Sequence, residues 1–215
     1  MVIEAFIFDM DGVIIDSEPL HFEVDMKTMA QLGSPISKES LEAYVGMTNP
    51  EMWTLIKKEY NLSQTVFEII DLQLGAKLAY LRETEVTPIP GIRELLKELH
   101  ERHIPIGLAS SSPRVFIEAV LKKLEVSSYF TCIVSAEEVA KGKPAPDVYL
   151  EAAHQMNVSP AACWVLEDSR NGLKAARAAG MKCIGFINPN SGNQDLSAAD
   201  IIVSTITEIS VAGLT

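Results

Sequence analysis

Residues 2–17 read VIEAFIFDMDGVIIDS. Ala5 to Phe8 are apolar without interruption, the pattern of a strand covered on both faces. Asp9 and Asp11 follow at once, then Gly12 and a second apolar run, Val13 to Ile15. A carboxylate beside a buried strand loses hydration, which is costly unless a partner compensates. The stretch thus predicts a strand inside a sheet with two acids at its carboxyl end, and it asks what those acids are for.

Downstream of Pro88 the chain alternates. PGIRELLKELHERH, PRVFIEAVLKKL, PDVYLEAAHQMN and NGLKAARAAG read as helices. IPIGLASSS, YFTCIVSAEE, ACWVLEDS and MKCIGFI read as strands between and after them, with ADIIVS a candidate sixth. Strands that are apolar on both faces and alternate with helices predict an α/β domain built on a parallel sheet. From Pro19 to about Glu83 the texture is helical throughout. Three helices are expected there, with Ser17 capping the first, Asn49 ahead of Pro50 capping the second, and Ser63 opening the third. The helical block therefore interrupts the α/β domain after its first strand. The expected division is 1–16 with 85–215 for the α/β domain and 17–84 for the helical domain, hinged near Ile15–Glu18 and Thr84–Gly91.

Composition narrows the functions. With 47% hydrophobic residues the chain can bury a full core, and 18 Lys and Arg against 29 Asp and Glu leave a net charge of -11. Such a surface repels nucleic acid and anionic membranes, and a phosphorylated substrate would need locally placed cations. Cys132, Cys163 and Cys183 form no CxxC and sit in strand-like runs, so they read as buried thiols of a cytoplasmic protein. The four histidines lack metal-ligand spacing, and His100 and His103 suit the end of a helix. No basic region precedes the first apolar run, and no apolar stretch is long enough to span a membrane.

The unusual polar residues fall where an open parallel sheet binds its ligands, at the carboxyl ends of the strands. Asp9 and Asp11 follow the first strand and Ser110, Ser111 and Ser112 the second. Lys141 and Lys143 follow the third, in KGKPAPD, and Glu167 and Asp168 the fourth, in VLEDS. Each alone suits a turn, a helix cap or a solvated loop. Together they form a pattern: clustered carboxylates need a hard divalent cation such as Mg2+, and a serine-rich turn before a helix suits an anion.

In this order the segments resemble the haloacid dehalogenase superfamily over almost the whole chain. FDMDGV is similar to the first motif, LASSS to the second, KGKPAPD to the third and LEDSRNGLKAARAAGM to the fourth. The branch resembled is the one that includes β-phosphoglucomutase and small sugar-phosphate phosphatases. The resemblance implies a Rossmann-like sheet of order 5-4-1-2-3 with an inserted α-helical cap domain. It implies Asp9 as the nucleophile that becomes an aspartyl phosphate and Asp11 as general acid and base. It implies Ser110, with Ser111 beside it, and Lys143 as phosphate ligands. Mg2+ would be held by Asp9, Asp168 and the carbonyl of Asp11, with Glu167 ligating or supporting.

The implied activity is Mg2+-dependent hydrolysis of a small phosphorylated metabolite, and a monomer is compatible with the sequence. A phosphomutase is the alternative. His21 matches a histidine of the mutase pattern and joins the candidate substrate-binding residues, although it also suits a polar helix position. The mutase pattern places an arginine a few residues after a glycine, and here that position is Asn49, in VGMTNPEMW. A neutral amide cannot replace a bidentate guanidinium, which favours the phosphatase, while Lys77 and Arg82 remain as other candidate cations. A non-catalytic sugar-phosphate binder would lack the nucleophile or the acid, and both are present.

Overall fold

The computed structural model describes residues 3–44 and 47–214, apart from the Glu18 side chain. The chain forms two compact units, Met1–Asp16 with Val86–Thr215, and Ser17–Glu85.

The first unit is the α/β one. Its strands are β1 (Ala5–Phe8), β2 (Ile106–Ser110), β3 (Cys132–Ser135), β4 (Cys163–Glu167), β5 (Lys182–Phe186) and β6 (Ile201–Val203). They lie in the order β3-β2-β1-β4-β5-β6, every pair parallel. The expected 5-4-1-2-3 order is present, and ADIIVS extends the sheet beyond β5. β1 is central, with all four residues buried. Ala5 and Ile7 pack with Tyr149, Ala152, Leu173 and Ala176. Phe6 and Phe8 contact each other at 4.7 Å between ring centroids, and Phe130 meets Phe8 edge-on. Both faces of the strand are therefore covered, as its unbroken apolar run requires.

The connecting helices are α5 (Ile92–Glu101), α6 (Arg114–Lys123), α7 (Asp147–Gln155) and α8 (Arg170–Ala178). The three cysteines sit on β3, β4 and β5, free and buried. Burial pushes their thiols up to about 11, 11 and 12, which makes them inert at neutral pH. His100 lies in the last turn of α5, but His103 lies beyond it at φ 56°, in the turn that follows.

The second unit is helical: α1 (Glu18–Gln31), the short α2 (Lys38–Leu41), α3 (Asn49–Glu59) and α4 (Val66–Glu83). Met29, Trp53, Ile56 and Ile69 form the centre of its core. Three expected caps differ. Ser17 precedes α1, but its backbone is already helical (φ -92°, ψ -10°) and its side chain caps nothing; an N-cap needs extended backbone to reach back to the first turn. Thr48, not Asn49, starts α3, with the Glu51 carboxylate accepting from the Thr48 N–H at 3.1 Å. Thr65, not Ser63, starts α4 and is paired with Glu68 in the same way. A Thr followed three residues later by Glu closes both orphan donors reciprocally, which a lone Asn or Ser does not. Among the described residues, no helix is long and apolar enough to cross a membrane.

Candidate active site

The carboxyl ends of four strands meet at one edge. Phe8 is in register with Leu108 on one side and Leu166 on the other, so Asp9 stands level with Ala109 and Glu167. The Asp9 N–H donates to Leu166 O at 3.0 Å, which extends the ladder one residue and fixes the Asp9 backbone.

Lys143 links these groups. Its ammonium donates to Asp9 Oδ1 at 2.7 Å, Glu167 Oε1 at 2.7 Å and Ala109 O at 3.0 Å. The lysine side chain is 6% exposed, so this is a desolvated cation with every proton engaged. Burial alone would lower its pKa, but the Asp9 and Glu167 carboxylates hold it well above the usual lysine range. Its Nζ also lies 4.8 Å from the centroid of the Tyr149 ring.

Glu167 is completely buried and fully subscribed. Oε1 accepts from Lys143 and from the Tyr149 hydroxyl at 2.8 Å. Oε2 accepts from the N–H groups of Asp168 and Ser169 and from the Ser169 hydroxyl. Gly172, in the first turn of α8, lets the helix approach this carboxylate, since a Cβ there would collide with Oε1.

Asp11 stands apart from this group. Its Oδ2 accepts from Ser112 Oγ at 2.8 Å and from Ser110 Oγ at 3.4 Å. The serine turn is itself held, because the Ser135 hydroxyl donates to Ser112 O at 2.8 Å and Ser112 N–H donates to Ser110 Oγ at 3.0 Å. Ser110 is fully buried, whereas Ser111 is exposed. Gly12 follows with φ +75°, and a side chain there would strike Asp168 Oδ2.

Oxygens of Asp9, Glu167 and Asp168 lie within 4.8 Å of one another, a group able to hold a metal ion. Burial raises the Asp9 carboxyl well above its usual range, against the pull of Lys143 and with the push of its acidic neighbours. Burial and then the Glu167 charge push Asp168 up to about 7. Three carboxylates around one ammonium are short of positive charge, and hard oxygen donors suit a divalent cation. The residues therefore fit a divalent ion. The Asp11 side chain is outside that group and faces the serines.

His21, on α1, belongs to the helical unit, as do Asn49, Lys77 and Arg82. Asn49 is engaged with Gln73: its amide donates to Gln73 Oε1 at 2.6 Å, and Gln73 Nε2 donates back at 3.2 Å. Gln73 Nε2 also donates to Asp25 Oδ1 at 2.5 Å. Burial raises the Asp25 carboxyl, while Gln73, Lys77 and His21 oppose the rise. Lys77 is thus buried near an acid of its own unit. The mutase pattern's glycine, Gly46, lies outside the described residues. Sequence reasoning missed Tyr149, Ser169, Asn188 and Ser191; DVY and EDS stand beside motif residues, but nothing in NPNS signals a role.

The chain matches the family model of haloacid dehalogenase-like hydrolases over residues 6–186. It belongs to that family. It is 34% identical to hexitol phosphatase B of Escherichia coli over 98% of this chain and 96% of the relative. It is 33% identical to β-phosphoglucomutase of Bacillus subtilis over 97% and 92%. Among solved structures, CbbY from Rhodobacter sphaeroides in complex with phosphate superposes with a TM-score of 0.87 at 27% identity, covering 96% of each chain. The six-stranded parallel sheet of this haloacid dehalogenase-like chain is the fold expected for such a family member.

Proposed function

We propose that the chain is a Mg2+-dependent phosphatase acting on small sugar or polyol phosphates through an aspartyl-phosphate intermediate, with residues 17–84 as its cap domain. The observation that carries this is the separation of the two acids. Asp9 is bound to Lys143 within the carboxylate group, while Asp11 rests on the serine turn. One is therefore suited to bond formation beside a cation and the other to proton transfer.

Asp9 attacks phosphorus through a carboxylate oxygen, and the ester P–O bond breaks as Asp11 gives its proton to the leaving oxygen. Asp11 then takes a proton from water, which attacks the acyl phosphate, releases inorganic phosphate and restores Asp9. Ser110, Ser111 and Lys143 would hold the phosphoryl oxygens, and His21 is the candidate substrate-binding residue of the helical unit. Asp9, Asp168 and the Asp11 carbonyl would hold Mg2+, with Glu167 ligating or supporting. The bound ion supplies positive charge that lets an anionic nucleophile approach a dianion. At 4 Å one like-charge pair costs about 4 kcal/mol at an effective dielectric of 20, and a dianion doubles it. Burial raises the Asp9 carboxyl above its usual range, and a cation beside it would oppose that rise.

The hexitol phosphatase relative supports a polyol or sugar phosphate as substrate. The mutase relative keeps a second reading open, but Asn49 argues against it: it is neutral and bound to Gln73. The test is phosphate release across a panel of hexitol, hexose, pentose and triose phosphates, with and without Mg2+. Release is expected from the hexitol or hexose phosphates, only with the ion. No release from any ester, or equal release in metal-free buffer, would overturn the reading.

A further inference from the structure

The segment after β5, NPNSGNQ at 188–194, takes no part in the chemistry above, yet its side chains hold the site. Asn188 and Ser191 are 6% and 8% exposed. The Asn188 amide donates to Gly12 O at 2.9 Å, and its Oδ1 accepts from Asn190 N–H at 2.9 Å. The Asn190 amide donates to Asp16 Oδ2 at 2.5 Å. The Ser191 hydroxyl donates to Asp168 Oδ2. A buried amide and a buried hydroxyl each need a partner, and here the partners are the turn after Asp11 and an acid of the candidate metal group.

We propose that Ser191 and Asn188 are positioning residues for the divalent ion. Ser191 occupies Oδ2 of Asp168 and so reserves the other carboxylate oxygen for the metal. Asn188 fixes the Gly12 carbonyl, and with it the turn that presents the Asp11 carbonyl. Gly12 joins the two: a side chain there would strike Asp168 and crowd Ser191 Oγ. Groups that orient metal ligands commonly matter about 10- to 100-fold in affinity. The inference rests on the metal-dependent reading of the site.

The experiment is calorimetric titration of metal-stripped protein with Mg2+ alone, for wild type, Ser191→Ala and Asn188→Ala, with metal-free melting temperatures in parallel. Ser191→Ala is expected to raise the Mg2+ Kd by about 10-fold, and Asn188→Ala by a smaller factor, at an essentially unchanged metal-free melting temperature. If Asn188→Ala does not fold, Ser191→Ala decides alone. Wild-type binding with an unaltered Kd in Ser191→Ala would overturn the positioning role and leave the phosphatase reading standing. A raised Kd that comes with a collapsed metal-free melting temperature would mean the segment supports only the fold, and would also overturn it. No Mg2+ binding by wild type would overturn both.

Discussion

Asp9→Asn is nearly isosteric but removes the nucleophile, so turnover should fall by at least about 10³-fold with the fold retained. Near-normal phosphate release by the pure variant would rule out the covalent route. Asp11→Asn should cost about 10²- to 10⁴-fold on alkyl phosphates and much less on aryl phosphates, whose leaving oxygen needs no proton. Single-turnover phosphorylation with both esters reads this; equal losses would remove Asp11 as the acid. Asp168 titrates near 7 when folded and at about 3.8 otherwise. Between those values the folded state keeps a proton that the unfolded chain has lost, so stability falls as pH rises through that window. Asp9 acts in the same direction. The melting temperature of EDTA-treated protein should therefore drop from about pH 4 to about pH 7, and Asp168→Asn should flatten the drop. A metal-free melting temperature that rises across this range would contradict the assignment.

At the scale of elements, α8 is set by one close approach. Gly172 lies where a methyl group would meet Glu167, whose two oxygens accept five hydrogen bonds from Lys143, Tyr149, Asp168 and Ser169. Helix propensity favours alanine over glycine by about 1 kcal/mol, so an isolated helix would gain from Gly172→Ala. Here the collision wins. The variant should lose about 3 kcal/mol in denaturant unfolding, because either the helix moves off the sheet or a buried carboxylate leaves its donors. A stabilised Gly172→Ala would show that the α8 turn is loosely held. The same logic explains the caps. The Thr-x-x-Glu pairs at Thr48 and Thr65 are local signals, yet nearby Asn49 and Ser63 are cap-forming types too.

At the scale of the molecule, the question is hydrolysis or transfer back to substrate. A mutase must retain a bisphosphate intermediate, and a charge-assisted pair missing at position 49 is worth about 1.5–3 kcal/mol, or about one to two powers of ten in binding. Incubation with β-glucose 1-phosphate, Mg2+ and a bisphosphate primer should give inorganic phosphate and little glucose 6-phosphate. Rapid glucose 6-phosphate formation with negligible phosphate release would reverse the choice. It would then direct attention to Arg82 and Lys77, although Lys77 already lies beside Asp25.

The sequence by itself determined the parallel sheet and the helical insertion, because unbroken apolar runs alternating with amphipathic ones have few other solutions, while the central place of the first strand was implied by the family resemblance. It also brought Asp9, Asp11, Ser110, Lys143, Glu167 and Asp168 to one edge, since each ends or follows a strand of a parallel sheet. Tertiary structure alone decided how these groups divide. It sent Lys143 to Asp9 and Glu167, turned Asp11 toward Ser112, and seated Tyr149 on Glu167. It also brought Ser191 to Asp168 across 23 residues and Asn188 to Gly12 across 176. Such pairings are set by which side chains meet when the sheet closes, and they leave no local pattern of spacing in the chain.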